Sequence, residues 1–304
     1  MRILLLGKIG QLGWELRRTL PPLGEIFVFD YPEIDLAQPE SLRELVQKIG
    51  PHVIVNATAY TAVDRAEAEP QLALAINGLA PGILAEVALQ VKSVLIHYST
   101  DYVFDGAKGS LYLETDLPNP LNIYGSSKLV GERAISEVGG AYLILRTSWV
   151  YSLRRDSFVM KVLEWSRQKQ NLRVVSDQVG NPTWARMLAE ASAQLLAIAA
   201  RNSTRDINAW FQERRGIYHL AGGGFTSRLE WARAILKYDP HREEQLTHEI
   251  LSALTSDFPT PAKRPLFSAL DCQKFSDVFD LRLPDWEDAL HLAIETSQVD
   301  LRGK

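Results

Sequence analysis

Short apolar runs alternate with amphipathic stretches through the first half of the chain. The apolar runs are typical of buried strands and lie at 2–7, 25–30, 52–58, 93–100 and 141–148. The predicted helices lie at 11–20, 39–49, 70–78, 80–91 and around Lys128. Continuous apolar strands separated by helices favour a parallel sheet covered on both faces. We therefore predict an α/β fold with a Rossmann-type, doubly wound parallel sheet, whose ligands bind beyond the carboxyl ends of the strands.

The second half of the chain has a less regular pattern. Helices are predicted at 156–169 and 183–200, and the polar stretch 201–216 is interpreted as an exposed loop. A strand at 217–221 precedes a helix whose start has the spacing of a capping box, with Ser227 and Glu230. The proline-containing segment 257–285 is expected to be irregular.

These patterns predict two unequal parts. Residues 1–150 would form the dinucleotide-binding Rossmann domain, and the segment at about 183–222 would return to it. Residues 151–304 would mainly form a smaller C-terminal substrate-binding lobe.

Composition narrows the class of protein. The 304 residues are 46% hydrophobic, enough for a large core, and the net charge of -4 gives no sign of a nucleic-acid partner. Cys272 is the single cysteine, which excludes an internal disulfide and a cysteine-built metal site. The apolar run at the N-terminus is too short for a signal peptide or a membrane span. We expect a cytoplasmic protein without a membrane partner.

Three glycines follow the first strand with a regular spacing. Gly7, Gly10 and Gly13 form a G-x-x-G-x-x-G turn between that strand and the next helix. Glycine lets the backbone approach a pyrophosphate, whose charge lies at the helix N-terminus. The position within a βαβ unit predicts a dinucleotide site, with a tight turn that binds no ligand as the alternative.

Charged residues near this loop affect the choice between NADH and NADPH. Asp30 ends the second strand, where a carboxylate accepts a ribose hydroxyl and favours NADH. Lys8, Arg17 and Arg18 could instead attract the 2′-phosphate of NADPH, although the two arginines also suit a solvated helix face. NADH and NADPH both remain open.

The stretch "PLNIYGSSKLVGE" places Tyr124 four residues before Lys128, on one face of a predicted helix. Such a pair occurs by chance in roughly one chain of this composition in three, so the spacing alone is weak. Here it follows a strand that ends in Ser99, Thr100 and Asp101. We predict that Tyr124 is an acid or base, that Lys128 lowers its pKa, and that Thr100 bonds to the reacting oxygen.

With these residues in place, the chain resembles the extended short-chain dehydrogenase/reductases, and more narrowly the dTDP-4-dehydrorhamnose reductases. The resemblance covers nearly the whole chain and rests on "GKIGQLGWEL", "VNATAYTAVDRAE", "STDYVFDG", "PLNIYGSSKLVGE", "LRTSWVY", "VVSDQVGNPT", "GIYHLAGGG", "FPTPAKRPLFSALD" and "LPDWEDAL". A departure is Thr58, which stands where the family usually has alanine.

The resemblance implies a function and a set of site residues. Tyr124 would protonate the C4 oxygen of dTDP-4-dehydro-L-rhamnose as the nicotinamide delivers hydride, with Lys128 on the nicotinamide ribose. The sugar would contact Thr100, Asp101 and Trp149. Besides the glycine loop, the implied coenzyme contacts are Gln11, Leu12, Asp30, Asp35, Leu36, Ala59, Tyr60, Thr61 and Tyr98. The product would be dTDP-L-rhamnose.

Several of these residues have a structural alternative. Trp149 could be a core residue, Asp101 could cap the following turn, and Asp35 could be a turn residue. Arg264 suits either a substrate diphosphate or a salt bridge. The resemblance also implies a homodimer and Mg²⁺ bound by glutamates, with Glu15 and Glu190 as matches and scattered surface glutamates as the alternative.

Two other functions compete with the reductase. A nucleotide-sugar epimerase or dehydratase of the same superfamily would recycle its coenzyme, and Asp101 offers the extra acid that a dehydratase needs. A catalytically silent, coenzyme-binding regulatory subunit would lack turnover, against which the intact Thr100, Tyr124 and Lys128 argue.

Overall fold

The computed structural model describes residues 1–38, 40–202 and 206–296. Its strands are β1 (Arg2–Leu6), β2 (Glu25–Phe29), β3 (Val53–Asn56), β4 (Val94–Thr100), β5 (Tyr142–Thr147), β6 (Val150–Tyr151), β7 (Asn171–Val175), β8 (Val179–Gly180), β9 (Thr183–Trp184), β10 (Gly216–His219), β11 (Thr226–Ser227) and β12 (Glu249–Ala253). Its α-helices are α1 (Gln11–Thr19), α2 (Glu40–Ile49), α3 (Val63–Ala68), α4 (Pro70–Leu74), α5 (Ala80–Gln90), α6 (Ile123–Val138), α7 (Phe158–Ser166), α8 (Ala185–Asn202), α9 (Ile207–Glu213), α10 (Arg228–Tyr238), α11 (Gln273–Phe279) and α12 (Trp286–Thr296).

Six strands form one parallel sheet in the order β10-β5-β4-β3-β1-β2. The chain order reverses between β1 and β3, because β2 lies on one side of β1 and β3 to β5 extend on the other. A crevice opens at such a switch point, outside the carboxyl ends of the strands. The predicted Rossmann-type doubly wound fold is confirmed.

The apolar strands are buried on both faces, as the sequence pattern predicts. In β1, Ile3 and Leu5 pack with α1 and α8 on one face, while Leu4 and Leu6 pack with α2 and α5 on the other. Successive side chains of a strand point to opposite faces, so a strand that contributes to both cores must be apolar at every position. Each buried leucine contributes roughly 2 kcal/mol to folding.

A second core lies in the C-terminal part of the chain. It is centred on Trp231 of α10, which is buried in a cluster with residues of α7, α12 and the two-stranded sheet of β7 and β12. Two further short strand pairs, β6 with β9 and β8 with β11, form separate two-stranded sheets. Strand β10 joins the main sheet beside β5, and α8 packs on α1. The proposed domain boundaries themselves stay a prediction.

Two predictions of irregular structure were wrong. The stretch 201–216 contains α9, capped by Asp206 and anchored by the buried Phe211, and 203–205 lie outside the described residues. The segment 257–285 contains α11, whose Phe275 and Phe279 enter the core of the main sheet. Both helices are short, and tertiary packing rather than local propensity stabilises such helices.

One helical stretch among the described residues, Pro70–Gln90, is long and apolar enough to cross a membrane by length and composition alone. It runs from α4 through a π-helical turn into α5, and half of it is buried inside the protein. Core helices of folded domains have the same length and composition.

Candidate active site

The glycine loop lies at the switch point and approaches neighbouring backbone closely. Gly7 has a φ of 95°, and a Cβ there would lie 2.9 Å from the carbonyl of Ala57. A Cβ on Gly13 would lie 1.6 Å from the carbonyl oxygen of Gly7, so this glycine lets α1 pack on the loop. A Cβ on Gly10 would meet no atom closer than 3.9 Å and would point into open space. Gly7 and Gly13 therefore serve the fold, while Gly10 leaves room for a ligand.

The Asp30 carboxylate holds the loop in place. Its Oδ2 accepts from the backbone N–H of Ile9 at 2.9 Å, and its Oδ1 accepts from the N–H of Tyr31 at 2.8 Å. Lys8 forms an ion pair with Glu33. Lys8, which could attract the 2′-phosphate of NADPH, is thus paired with the carboxylate of Glu33 in this structure.

A cleft of about 740 Å³ runs from this loop across the carboxyl edge of the sheet. The predicted site residues that line it are Gly7, Gly10, Gln11, Leu12, Asp30, Ala59, Thr61, Tyr98, Thr100, Asp101, Tyr124, Lys128 and Trp149. The predicted coenzyme residues that do not line it are Gly13, Asp35, Leu36 and Tyr60. The structure thus brings the predicted catalytic residues to the same cleft as the glycine loop.

The four outlying residues have structural contacts. Asp35 accepts from the backbone N–H of Ala37, as a turn residue does, and Leu36 is buried in the core beside α2. Tyr60 bonds through its hydroxyl to Glu69. Their coenzyme roles stay predictions.

Thr100 and Asp101 end β4 inside the cleft. The Thr100 hydroxyl donates to Asp101 Oδ1 at 3.2 Å and accepts from the backbone N–H of Tyr102. The Ser268 hydroxyl donates to Asp101 Oδ2 at 2.5 Å. Burial raises the pKa of Asp101 to about 6, and its hydrogen bonds to Ser268, Ser148 and Thr100 oppose that rise. An aspartic acid that titrates near neutrality is available for proton exchange at this position.

Tyr124 lies in the first turn of α6. Asn122 caps that helix by accepting from the backbone N–H of Gly125 at 2.8 Å. Burial raises the pKa of the Tyr124 hydroxyl, while its hydrogen bond with Thr100 lowers it. The expectation that Lys128 lowers this pKa was wrong, because the lysine ammonium bonds elsewhere. Tyr124 therefore retains its proton at neutral pH and can donate it.

Lys128 lies one turn further along α6 and is 1% exposed. Its Nζ donates to the carbonyl oxygen of Tyr98 at 2.6 Å and lies 3.1 Å from Nε2 of His97. Burial lowers its pKa to about 8, and Glu132 opposes that shift. Glu132 itself is paired with Arg146 through bonds of 2.9 and 2.6 Å. The sequence reasoning missed His97, whose position three residues before Thr100 on β4 was its only signal.

Trp149 forms the far wall of the cleft in a left-handed backbone conformation, with a φ of 44°. Its ring stacks on Trp231 at 5.5 Å, and a Cβ on Gly180 would lie 2.6 Å from its indole. Strained backbone of this kind persists only where neighbours enforce it, and it concentrates at functional sites. Trp149 thus belongs to the lobe core on one face and to the cleft on the other.

Arg228 also lines the cleft and was missed by the sequence reasoning. Its guanidinium carbon lies 3.7 Å from the centre of the Trp149 ring, and it also faces Phe158 and Trp231. Desolvation lowers its pKa to about 10, so it remains a cation at neutral pH. Arg264, in contrast, pairs with Asp64 through bonds of 3.2 and 2.8 Å, which is the salt-bridge alternative.

Buried polar atoms without partners show where a ligand can bond. Gln11 Oε1 and Thr147 Oγ1 both line the cleft, and neither has a hydrogen-bond partner among the described residues. With the open space at Gly10, they fit a dinucleotide whose polar groups complete these bonds.

A cluster with metal-ligand spacing lies elsewhere. Within the described ranges, only His241, Glu243 and Glu244 form a group of three such residues, and Glu244 pairs with Arg167. Glu190, one of the two glutamates considered for Mg²⁺, pairs with Arg186 at 2.9 Å.

Comparisons with known proteins agree with this geometry. A family model described as "RmlD substrate binding domain" matches residues 1–299. A dTDP-4-dehydrorhamnose reductase of Burkholderia thailandensis is 41% identical over 97% of this chain and 98% of its own. A protein of the same name from Shigella flexneri is 42% identical over 94% and 95%. The crystal structure of the Bacillus anthracis dTDP-4-dehydrorhamnose reductase in complex with NADP has a TM-score of 0.85, with 31% identity over 97% of this chain and 99% of that one.

The sheet order, the glycine loop and the tyrosine and lysine on α6 define a Rossmann-type oxidoreductase of the short-chain dehydrogenase/reductase class. Within that class the full-length matches are decisive. The chain belongs to the dTDP-4-dehydrorhamnose reductase family.

Proposed function

We propose that this protein reduces the C4 ketone of dTDP-4-dehydro-β-L-rhamnose to give dTDP-L-rhamnose, the last step of dTDP-rhamnose biosynthesis. The observation that carries the proposal is the position of the half-buried Tyr124, which bonds to Thr100 inside the cleft and whose pKa is raised. A ketone oxygen that gains negative charge during reduction needs a proton donor at that position.

Each residue of the cleft has a separate role in the proposed reduction. Tyr124 donates its hydroxyl proton to the C4 oxygen, and Thr100 orients that oxygen by a hydrogen bond. Trp149 packs against the sugar, and Asp101 bonds to it. Excluding water from this buried edge strengthens each of these bonds.

The coenzyme would be held at the other end of the cleft. Gly10, Gln11 and Leu12 would contact the pyrophosphate, Asp30 the adenosine ribose, and Lys128 the nicotinamide ribose. A reduced nicotinamide dinucleotide supplies the hydride when it is bound. NADPH and NADH are both proposed as coenzymes.

Arg228 is proposed to bind the diphosphate of the dTDP-sugar. Stacking covers the faces of its guanidinium and leaves the in-plane N–H groups for an anion, which a diphosphate matches. Arg264 is occupied by Asp64 and is less available.

The test follows nicotinamide absorbance with dTDP-4-dehydro-L-rhamnose, with NADH and NADPH in parallel. Wild-type protein should consume one reduced coenzyme per ketone, and Tyr124→Phe should lose about 10²–10⁴-fold in kcat while still binding coenzyme. Tyr112→Phe, which removes a buried hydroxyl outside the cleft, is the matched control. A wild-type protein that binds coenzyme but oxidises none would exclude a reductase and leave the silent subunit.

Asp101 favours one second candidate, a nucleotide-sugar dehydratase or epimerase. With its pKa raised to about 6, it can exchange a proton beside Thr100. Such an enzyme recycles its coenzyme, so product formation without net coenzyme oxidation would select it.

We also propose a cytoplasmic location, in keeping with a chain whose single cysteine, Cys272, can form no internal disulfide. A homodimer and Mg²⁺ dependence stay predictions.

A further inference from the structure

Lys128 is buried, and its Nζ contacts a backbone carbonyl oxygen and a histidine ring nitrogen. Among the residues that the structure describes, none places a carboxylate oxygen within ion-pair distance of it. Glu132, the nearest acid on α6, is held by both Arg146 and Ser99. Besides the carbonyl oxygen of Tyr98, the Lys128 amino group contacts the Nε2 of His97, at 3.1 Å.

His97 has a second neighbour on its other ring nitrogen. Its Nδ1 lies 3.1 Å from the side-chain nitrogen of Asn56, on the adjacent strand β3. Both residues are no more than 1% exposed, so water cannot replace either bond. The protonation of the ring therefore depends on which end of the Asn56 amide faces it.

Thr58 fixes the orientation of that amide. The backbone N–H of Thr58, which can only donate, lies 3.2 Å from Asn56 Oδ1. The Thr58 hydroxyl donates to the same oxygen at 2.5 Å. Turning the amide over would direct its NH₂ group at the backbone N–H and would leave two donors facing each other. Asn56 Oδ1 therefore faces Thr58, and the NH₂ group faces His97.

The tautomer of His97 follows from this orientation. Its Nδ1 accepts from Asn56, so a neutral ring carries its proton on Nε2. Burial and the charge of Lys128 lower the pKa of His97 well below its ordinary value, which keeps the ring neutral. The Nε2–H then points at Lys128 Nζ. An ammonium has no lone pair to accept this bond, whereas a neutral amine has one.

We propose that His97 is a positioning residue that acts with Asn56 and Thr58 to present a hydrogen-bond donor to Lys128, and so stabilises the neutral amine of this lysine. The bond from Lys128 to the Tyr98 carbonyl is made in both charge states, so it does not oppose this effect.

The charged and titratable groups around Lys128 act in different directions. On α6, Glu132 favours the ammonium, but its charge is compensated by Arg146 from β5. Tyr124, on the same helix, stays protonated, and Asp101 after β4 is held by Ser268. Desolvation is the largest cause of the lowered pKa of Lys128. The proposed hydrogen-bond donor on His97 would act in the same direction.

The functional meaning of this hydrogen bond rests on the proposed function, in which Tyr124 donates a proton to the substrate. A lysine that titrates near pH 8 can take up and release a proton one helical turn from Tyr124, in the range where that tyrosine must regain the proton it donates.

The first test uses the unaltered protein without coenzyme. Long-range ¹H–¹⁵N spectra of the histidine rings distinguish a protonated Nε2 from a protonated Nδ1, and the His97 signals are assigned by their loss in His97→Gln. We expect the Nε2–H tautomer from pH 6 to pH 9. Finding the Nδ1–H tautomer or a charged ring would overturn the proposal, because Lys128 would then face an acceptor or a cation.

The second test measures the charge of Lys128 directly. The ¹³Cε shift of this lysine is followed against pH, with assignment by Lys128→Met. In His97→Gln the side-chain amide can turn its oxygen toward Lys128, so the ammonium should become about tenfold more stable, a rise of about one pKa unit. Thr58→Ala keeps the backbone N–H bond to Asn56 Oδ1 but removes the hydroxyl bond, so the Asn56 amide is held less firmly. We expect a smaller rise in the pKa of Lys128 in this variant.

His219→Gln is the matched control, because His219 is a buried histidine on β10 that bonds to the Asp271 carbonyl and not to Lys128. It should leave the Lys128 titration unchanged. An equal titration in wild type and His97→Gln would overturn the proposal. Neither measurement needs turnover, so an absent ketone reduction would contradict the proposed function while leaving these results to decide the role of His97.

Discussion

Arg228 stacks on Trp149 with its guanidinium carbon 3.7 Å from the ring centre, and no carboxylate among the described residues lies within ion-pair distance of it. A half-buried cation without an acidic partner is costly unless a ligand supplies the negative charge. Stacking accounts for its position, and none of the described residues accepts a hydrogen bond from its guanidinium. The pair therefore defines the wall of the cleft that meets an anionic part of the substrate.

Replacing that cation should weaken substrate binding more than chemistry. We expect Arg228→Met to raise KM for the dTDP-sugar about 10- to 100-fold with kcat nearly unchanged, since a charge-assisted bond to phosphate contributes about 1.5–3 kcal/mol. Steady-state kinetics at saturating coenzyme measures this. Arg233→Met, on the exposed face of the same helix, is the control and should leave KM alone. An unchanged KM in Arg228→Met would remove Arg228 from the substrate site.

Asp101 should make folding stability depend on pH. An unfolded aspartate titrates near pH 3.9, whereas burial raises the pKa of Asp101 to about 6 in the folded protein. Between these values the folded state binds a proton that the unfolded chain has released, so the free energy of unfolding falls as pH rises. The Asp101→Asn variant has no carboxyl group at this position, so it should not show this fall in the free energy of unfolding.

Urea unfolding of Asp101→Asn and wild type at pH 4 and pH 7 tests this linkage. The stability of the variant relative to wild type should increase by about 2 kcal/mol between the two pH values, because the unfolded aspartate is already half ionised at pH 4. Other groups titrate equally in both proteins and cancel in the difference. A constant difference would mean that Asp101 is ionised throughout.

Two glycines of the coenzyme loop should respond oppositely to an added methyl group. In Gly10→Ala the Cβ enters open space where the dinucleotide would lie, so we expect an unchanged Tm and weaker binding of NADPH. In Gly13→Ala the Cβ would overlap the Gly7 carbonyl, so a fall in Tm is expected. Thermal unfolding and nicotinamide fluorescence titration separate the two effects. Unweakened coenzyme binding by Gly10→Ala would place the pyrophosphate elsewhere.

The ion pair of Glu132 and Arg146 should be necessary for stability. Both side chains are no more than 2% exposed, and their two bonds join α6 to β5 behind the catalytic residues. Glu132→Gln leaves the arginine charge uncompensated, and we expect a loss of about 3–5 kcal/mol. Glu230→Gln breaks an exposed pair and should cost less than about 1 kcal/mol. Equal unfolding free energies for the two variants would contradict this assignment.

Much of this protein could be predicted from its sequence, because the informative signals are local. The apolar strand runs predict a parallel sheet since a strand buried on both faces needs apolar residues at every position, as β1 shows with Ile3 to Leu6. The glycine spacing and the pair of Tyr124 and Lys128 are also local signals, because each lies within a segment of at most seven residues. Helices α9 and α11 were missed because packing of Phe211, Phe275 and Phe279, rather than local pattern, stabilises them.

Only the tertiary structure decided which side chains meet and what charge they bear. Asn56, His97 and Lys128 lie on three different elements, and their bonding order depends on an amide that Thr58 orients. Arg228 and Trp149 are 79 positions apart in sequence yet stack in the cleft. Burial likewise raised the pKa of Tyr124 where the sequence predicted a fall. Desolvation and long-range contacts arise only when the chain folds, so residue type and spacing cannot determine them.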